Sequence, residues 1–267
     1  MSIIRYNDVV IGVNGWGANI SGLSAINASI NFSNPQTPIY AIGKKSAVTT
    51  TPNGPVRGTA SISYYLTGTD QIYGAFNYAA TGGDLTTPMT MGWGNVVLTG
   101  CYLNNYSAAA AANQVAQATV EFGVYMTQGG GVPITAGTAG ATTGQKNIGH
   151  GANTPITYDG VAISDALSFN IQCANQFEET YILGASTPIF PLVLSSSQKT
   201  LTLEGYNLTK AVTMCGTAAT GIVTLKDLCS STTIETFAVT GKIESSDLSV
   251  SAGGAVQGSI TIVQHTY

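Results

Sequence analysis

The chain has 267 residues, 13 acidic and 9 basic side chains, and a formal net charge of −4. Charged residues make up 8% of it, against roughly 25% in an ordinary soluble domain. Nine cations exclude a basic nucleic-acid grip, 44% hydrophobic content excludes a solvating disordered tail, and no apolar run approaches the ~20 residues of a membrane-spanning helix.

From the start of the chain, Ser2-Ile3-Ile4-Arg5 does not open into an apolar h-region, so no signal peptide is expected. Gly12-Val13-Asn14-Gly15-Trp16-Gly17 is glycine-rich but fits no phosphate-binding pattern, and no lysine follows it. Trp16, like Trp93 in Gly92-Trp93-Gly94, suits a loop anchor or subunit contact better than a sugar-binding face. A strand over 26–32 leads into Pro38-Ile39-Tyr40-Ala41-Ile42-Gly43. Lys44, Lys45 and Arg57 then bracket an expected loop over 46–56, with Thr49-Thr50-Thr51 inside it and a turn at Asn53-Gly54.

Ala60-Ser61-Ile62-Ser63-Tyr64 alternates as a half-buried antiparallel strand does. After Thr69 and the candidate cap Asp70, Ile72, Ala75, Phe76 and Ala79 fall at i, i+3, i+4 and i+7, which predicts a helix. Gly82-Gly83 punctuates its end. A strand follows over 100–107, and after a small-residue turn Ala118-Thr119-Val120-Glu121-Phe122 alternates again. Residues 127–155, with Gly129-Gly130-Gly131 and Gly137, Gly140 and Gly144, read as a linker or long loop, and His150 there reads as an exposed loop histidine.

Beyond it, Glu178-Glu179 makes a poor acid/base couple, because neighbours on a strand point to opposite faces. A solvated edge or a basic partner suits the pair better. The loop over 185–198 holds Ile189-Phe190-Pro191-Leu192-Val193-Leu194, which reads equally as an exposed interaction surface or a buried strand. Thr200-Leu201-Thr202-Leu203 and Ser259-Ile260-Thr261-Ile262-Val263 alternate as strands, with a turn at Gly253-Gly254. A helix over 210–219 is weaker, with threonine and glycine in place of apolar residues.

The chain matches itself. A shift of 141 carries Tyr40-Ala41-Ile42-Gly43 onto Tyr181-Ile182-Leu183-Gly184, and Ala60-Ser61-Ile62 onto Leu201-Thr202-Leu203. It also carries Tyr65 onto Tyr206 and Gly100 onto Gly241. Near the end the shift becomes 140, with Gln117-Ala118-Thr119-Val120 on Gln257-Gly258-Ser259-Ile260. The expected organisation is all-β with minor helix: one antiparallel β-sandwich or barrel over 1–126, a linker over 127–155, and a second over 156–267.

No chemistry assembles from these residues. No G-x-S-x-G is present, no C-x-x-C pair exists among Cys101, Cys173, Cys215 and Cys229, and His150 and His265 lack ligand spacing. Cys215 and Cys229 are close enough in sequence to pair, although small buried thiols are the plainer reading of all four. Asp165 and Asp247 are isolated. No catalytic, cofactor-binding or metal-binding residue is expected, and no enzyme activity.

Each half resembles the tail-tube (major tail protein) family of long-tailed bacteriophages. The resemblance rests on the strand over 26–32, on the Pro-hydrophobic-Tyr-x-hydrophobic-Gly step at 38–43, and on the terminal strand pairs 100–107 with 118–122 and 241–250 with 258–263. It implies a structural protein of the virion, assembled in the host cytoplasm. Two such domains per chain imply a homotrimeric ring with pseudo-sixfold symmetry, stacked with other rings and joined to other tail proteins. The loop after Tyr40, or its counterpart after Tyr181, would then reach the next ring. Double-stranded DNA would be a non-specific passenger in the lumen, with no membrane contact. Another virion component, such as a decoration, neck or tail-tip protein, and a carbohydrate-binding adhesin are the alternatives.

Overall fold

Alternation of small polar with apolar residues decides most of the secondary structure, because a period of two gives a strand one wet and one buried face. The computed structural model describes residues 11–20, 23, 25–33, 36–52, 57–93, 96–125, 134–136, 147–183, 188–189, 191–206, 208, 218–249 and 256–266. Among them the first half forms β1 (Ile11–Gly15), β2 (Ala18–Ile20), β3 (Ala25–Ser33), β4 (Gln36–Ile39), β5 (Thr49–Pro52) and β6 (Arg57–Tyr65). Helix α1 (Gln71–Ala80) follows, then β7 (Met89–Trp93), β8 (Val96–Ala111), β9 (Gln117–Tyr125) and β10 (Ile134–Ala136). The second half forms β11 (Gly149–His150), β12 (Ile156–Tyr158), β13 (Val161–Ile163) and β14 (Ala166–Glu178). It ends with β15 (Val193–Tyr206), β16 (Ala219–Asp227), β17 (Thr233–Ser249) and β18 (Gln257–Thr266).

The protein is mainly β, with one short helix and a large antiparallel sheet of 16 strands among the described residues. The helix stands where its periodicity places it. Asp70 caps it through a 2.9 Å bond from the Ile72 amide to Oδ1, and Ile72, Ala75, Phe76 and Ala79 are all buried. The weaker helix expected over 210–219 lies outside the described residues up to 217, and Ala219 opens β16. Thr49-Thr50-Thr51 departs from its expected place in a loop. Paired with Gln36–Ile39, it forms a separate two-stranded hairpin, because three β-branched residues favour extended backbone once a partner strand is in reach.

Strand order is the same in the two halves. The first runs β3-β6-β9-β8-β7-β1-β2 and the second β14-β15-β18-β17-β16-β12-β13. Registers agree as well. The pairs Ala25↔Tyr64 and Asn27↔Ser63, with a bulge between them, become Ala166↔Gly205 and Ser168↔Glu204 on a shift of 141, again with a bulge between them. The bulge of β8 between Leu103 and Asn105 reappears in β17 between Ile243 and Ser245, here on a shift of 140. The one-residue slip therefore lies before Leu103 rather than near residue 117. Gly100 explains it: the β7–β8 ladder is irregular there, and Gly100 sits at φ +72 with the Tyr125 carbonyl 2.5 Å from where a Cβ would be. An extra residue in a ladder is tolerated where glycine supplies the left-handed conformation.

β8 and β17 are long because each serves two groups of neighbours. β8 pairs with β7 over its first part and with β9 beyond, changing partner around its bulges, and β17 does the same with β16 and β18. Strands that change partners this way turn the corners of a sandwich. Among the described residues the sheet does not close into a barrel.

The two halves are not separated. β14 pairs directly with β8 from Ser168↔Ala111 to Ala174↔Asn105, and one hydrophobic cluster runs through both. Parts of the expected linker also join the sheet: β10 pairs with β8, and β11 with β16. Each fully buried Leu, Ile or Phe of this core contributes about 1.5–3 kcal/mol, and its largest members include Tyr102, Tyr106, Phe76, Phe122 and Phe237.

Candidate assembly surface

The β8·β14 joint is where one half meets the other, and α1 covers it. Asp70 does more than cap the helix. Its Oδ2 accepts from the Tyr64 hydroxyl at 2.7 Å and the Tyr106 hydroxyl at 2.8 Å, and its own amide donates to Glu235 Oε2 from the second half. Burial raises the Asp70 carboxyl above its ordinary value, against the pull of the two tyrosine hydroxyls and the backbone amides. Burial raises Glu235 as well. On the same helix Tyr73 packs edge-on to Phe237 at 5.0 Å, and Asn77 Oδ1 accepts from the Lys199 ammonium. Burial lowers the Lys199 pKa.

A second aromatic group pins the far end of the joint. Trp16 stands edge-on to Tyr102 at 5.5 Å, and Tyr102 meets Phe177 of β14 at 5.1 Å. The Trp16 indole N–H donates to the Thr87 carbonyl at 3.1 Å. Trp16 is thus a buried anchor rather than a sugar platform. Glu179 forms a 2.6 Å ion pair with Arg57 across the halves and accepts from the Tyr181 hydroxyl. The basic partner expected for the acidic pair is therefore inside the chain.

The face of the sheet turned away from this core is polar and nearly uncharged. β6 presents Thr59, Ser61 and Ser63; β9 presents Gln117 and Thr119. Across the joint β14 presents Ser168, Asn170 and Gln172, β15 Thr200 and Thr202, and β18 Ser259 and Thr261. Hydroxyls bond one another across strands, as Ser63 and Thr119 do at 3.0 Å. Charge enters this stretch as Glu121, Glu204 and Asp247, with Arg57 at the start of β6. Glu204 and Asp247 line a shallow cleft of about 260 Å³.

The β4–β5 hairpin exposes Ile39, Tyr40, Ile42 and Val48. In the second half Ile182, Leu183 and Ile189 are exposed, whereas Leu192 is buried and Val193 opens β15. The 185–198 segment is therefore part surface and part strand. His150 is half-buried in β11, and its Nδ1 accepts from the Ala152 amide to cap a short 3-10 turn, which is a structural role the loop reading missed. Cys101 and Cys173 are free and buried, with thiols pushed up to about 12 by burial. Cys229 is free and exposed, and Cys215 lies outside the described residues.

Asp247 lines the cleft from β17, whereas Asp165, which precedes β14 on the far side of β15 and β18, is not among its lining residues. Among the described residues no group of three or more His, Cys, Asp or Glu could hold a metal ion. No helix among them is long and apolar enough to cross a membrane. Sequence reasoning missed Glu235 and Lys199, whose roles come from contacts with α1 across more than 120 positions of chain. A scan against protein-family models finds no match, and no curated protein matches the chain.

Proposed function

We propose that this chain is a structural virion protein of the tail-tube kind, in which two duplicated sandwich units per chain build a ring. Three chains would give six units, and stacked rings would form a hollow tube in a phage tail, in contact with other tail proteins. The observation that carries this reading is the equality of strand order and register in the two halves, together with their edge-to-edge joint in one sheet. A unit that meets its own likeness through a strand edge has a mode of association that can be repeated between chains.

The uncharged face fits the wall of a conduit. Hydroxyls and amides keep it wetted, and sparse carboxylates repel phosphate, so a duplex would pass without being held. The scarcity of charge follows too, because surface covered by other copies needs none for solubility. The exposed apolar tip of the β4–β5 hairpin would contact the next ring.

Electron microscopy of the purified chain at rising concentration tests this. The expected particle is a ring with three-fold symmetry, six lobes and a central hole, stacking into tubes. A chain that stays strictly monomeric at high concentration, with no rings or tubes in it or in any virion fraction, would overturn the reading.

A further inference from the structure

The internal joint predicts the external one. β14 corresponds to β3 on a shift of 141, and the second part of β8 corresponds to that of β17 on a shift of 140, by the shared registers and bulges. β14 and β8 are paired with each other inside the chain. Their counterparts β3 and β17 are not: among the described residues β3 pairs with β6 alone, and the 245–249 part of β17 pairs with β18 alone.

We infer that β3 of one chain pairs antiparallel with β17 of a second copy, in the register Ser29↔Ser249, Ile30↔Leu248, Asn31↔Asp247, Phe32↔Ser246 and Ser33↔Ser245. This deepens the ring reading and rests on it only for closure at three chains. The register is the β8·β14 register carried over: Asn170↔Ala109 becomes Ser29↔Ser249, and Gln172↔Ser107 becomes Asn31↔Asp247.

Exposure marks both edges as half of an interface. Ile171 and Cys173 of β14 are buried, whereas their counterparts Ile30 and Phe32 are only half-buried. Ala108 of β8 is 1% exposed, and its counterpart Leu248 is 58% exposed. The inferred register sets Leu248 directly opposite Ile30, so two apolar side chains left open in one copy cover each other. The remaining pairs set Phe32 opposite Ser246 and otherwise bring together serine, asparagine and one carboxylate, with no like charges opposed.

β3 also lacks the usual protection of a free edge. Over 27–33 it carries no charge, no proline and no bulge. Soluble proteins blunt such edges with lysine, proline or bulges, and an unprotected one is a template for pairing. The interface is head-to-tail, since β3 and β17 are different surfaces, and such contacts close into rings when the rotation permits.

Disulfide trapping tests the register, in a Cys229→Ser background. One variant carries Ser29→Cys with Ser249→Cys, and a second carries Ile30→Cys with Leu248→Cys. Adjacent positions cover both kinds of antiparallel pair, so at least one has the closer approach. A control carries Ser29→Cys with Ser245→Cys, displaced by about 13 Å along the strand. Mild oxidation should link most chains of at least one in-register variant into a ladder ending at three chains, and leave the control unlinked.

Rings seen by microscopy without links in either in-register variant would overturn the inferred joint and leave the ring reading standing. In-register links without closed rings would keep the joint and overturn closure at three. Equal linking of the control would overturn the register. Should a variant fold poorly, amide exchange of the unaltered chain gives a second readout: β3 amides should gain protection on assembly and lose it on dilution, and unchanged exchange in assembled rings overturns the joint.

Discussion

β3 and β14 hold the same register against their neighbours, yet one is a half-open edge and the other is core. Their sequences do not force this: isoleucine occupies the same place in both, as Ile30 and Ile171. The difference is the next strand. β14 has β8 beside it and α1 over it, while β3 has neither among the described residues. Burial is thus a property of the neighbour rather than of the strand, and the two isoleucines make a matched pair for testing it.

The largest effect is expected at Ile171. Ile171→Ala removes a fully buried side chain, and should cost about 2–5 kcal/mol by denaturant unfolding of the monomeric chain. Ile30→Ala should cost less there, about 1–2 kcal/mol, because part of the side chain already faces water. In assembled rings the two should converge, with Ile30→Ala shifting dissociation to higher protein concentration. Equal losses in the monomer would show that β3 is already covered within one chain.

Asp70 comes next, because its carboxylate gathers the helix cap and two buried tyrosines at the joint, where its amide meets Glu235 of the second half. Asp70→Ala removes the helix cap and leaves the Tyr64 and Tyr106 hydroxyls without their acceptor, an expected loss of about 2–4 kcal/mol. Asp70→Asn keeps a capping oxygen and should lose less. The two also differ in pH dependence. Burial raises the Asp70 carboxyl in the folded chain, so the folded state binds its proton more tightly than the unfolded state does. Its contribution is full below the ordinary value of 3.8 and declines as pH rises through the raised folded value. Glu235 acts with the same sign. The melting temperature of the wild type should therefore fall relative to Asp70→Asn as pH is raised from about 4 towards neutrality. Parallel curves would show that Asp70 titrates normally, and Asp70→Asn with Glu235→Gln separates the two groups.

Much of this architecture is legible in the residues. Period-two alternation marks β6, β9, β15 and β18, and the i, i+3, i+4, i+7 spacing after Asp70 marks α1, because both signals are local. The self-match on a shift of 141 is read from the chain alone, since it compares the chain with itself. The β8·β14 joint is not. Nothing in Ala108-Ala109-Ala110-Ala111 says which strand lies beside it, and the reach of Glu235 to Asp70 spans 165 positions. Thr49-Thr50-Thr51 fails for another reason: its turn-rich flanks outweigh a short β-branched run until the partner strand is known. Trp16 reads as an anchor from its setting between two glycines, but its partners Tyr102 and Phe177 are not legible, because they lie far along the chain.

The smallest effect is expected at Arg57, which also joins the halves. It opens β6, while Glu179 follows β14, and their ion pair is 2.6 Å long. The Arg57 side chain is 54% exposed and that of Glu179 15%. Water and salt screen such a pair, so it contributes about 0–1 kcal/mol. Truncation at Arg57 leaves no orphan either, because the Tyr181 hydroxyl still donates to Glu179 at 2.6 Å. Arg57→Ala should therefore lower the unfolding free energy by no more than about 1 kcal/mol at low salt, and the loss should shrink as salt is added. A salt-independent loss above about 2 kcal/mol would mean that the pair is shielded from water, and that the joint is held at its rim as firmly as at Asp70.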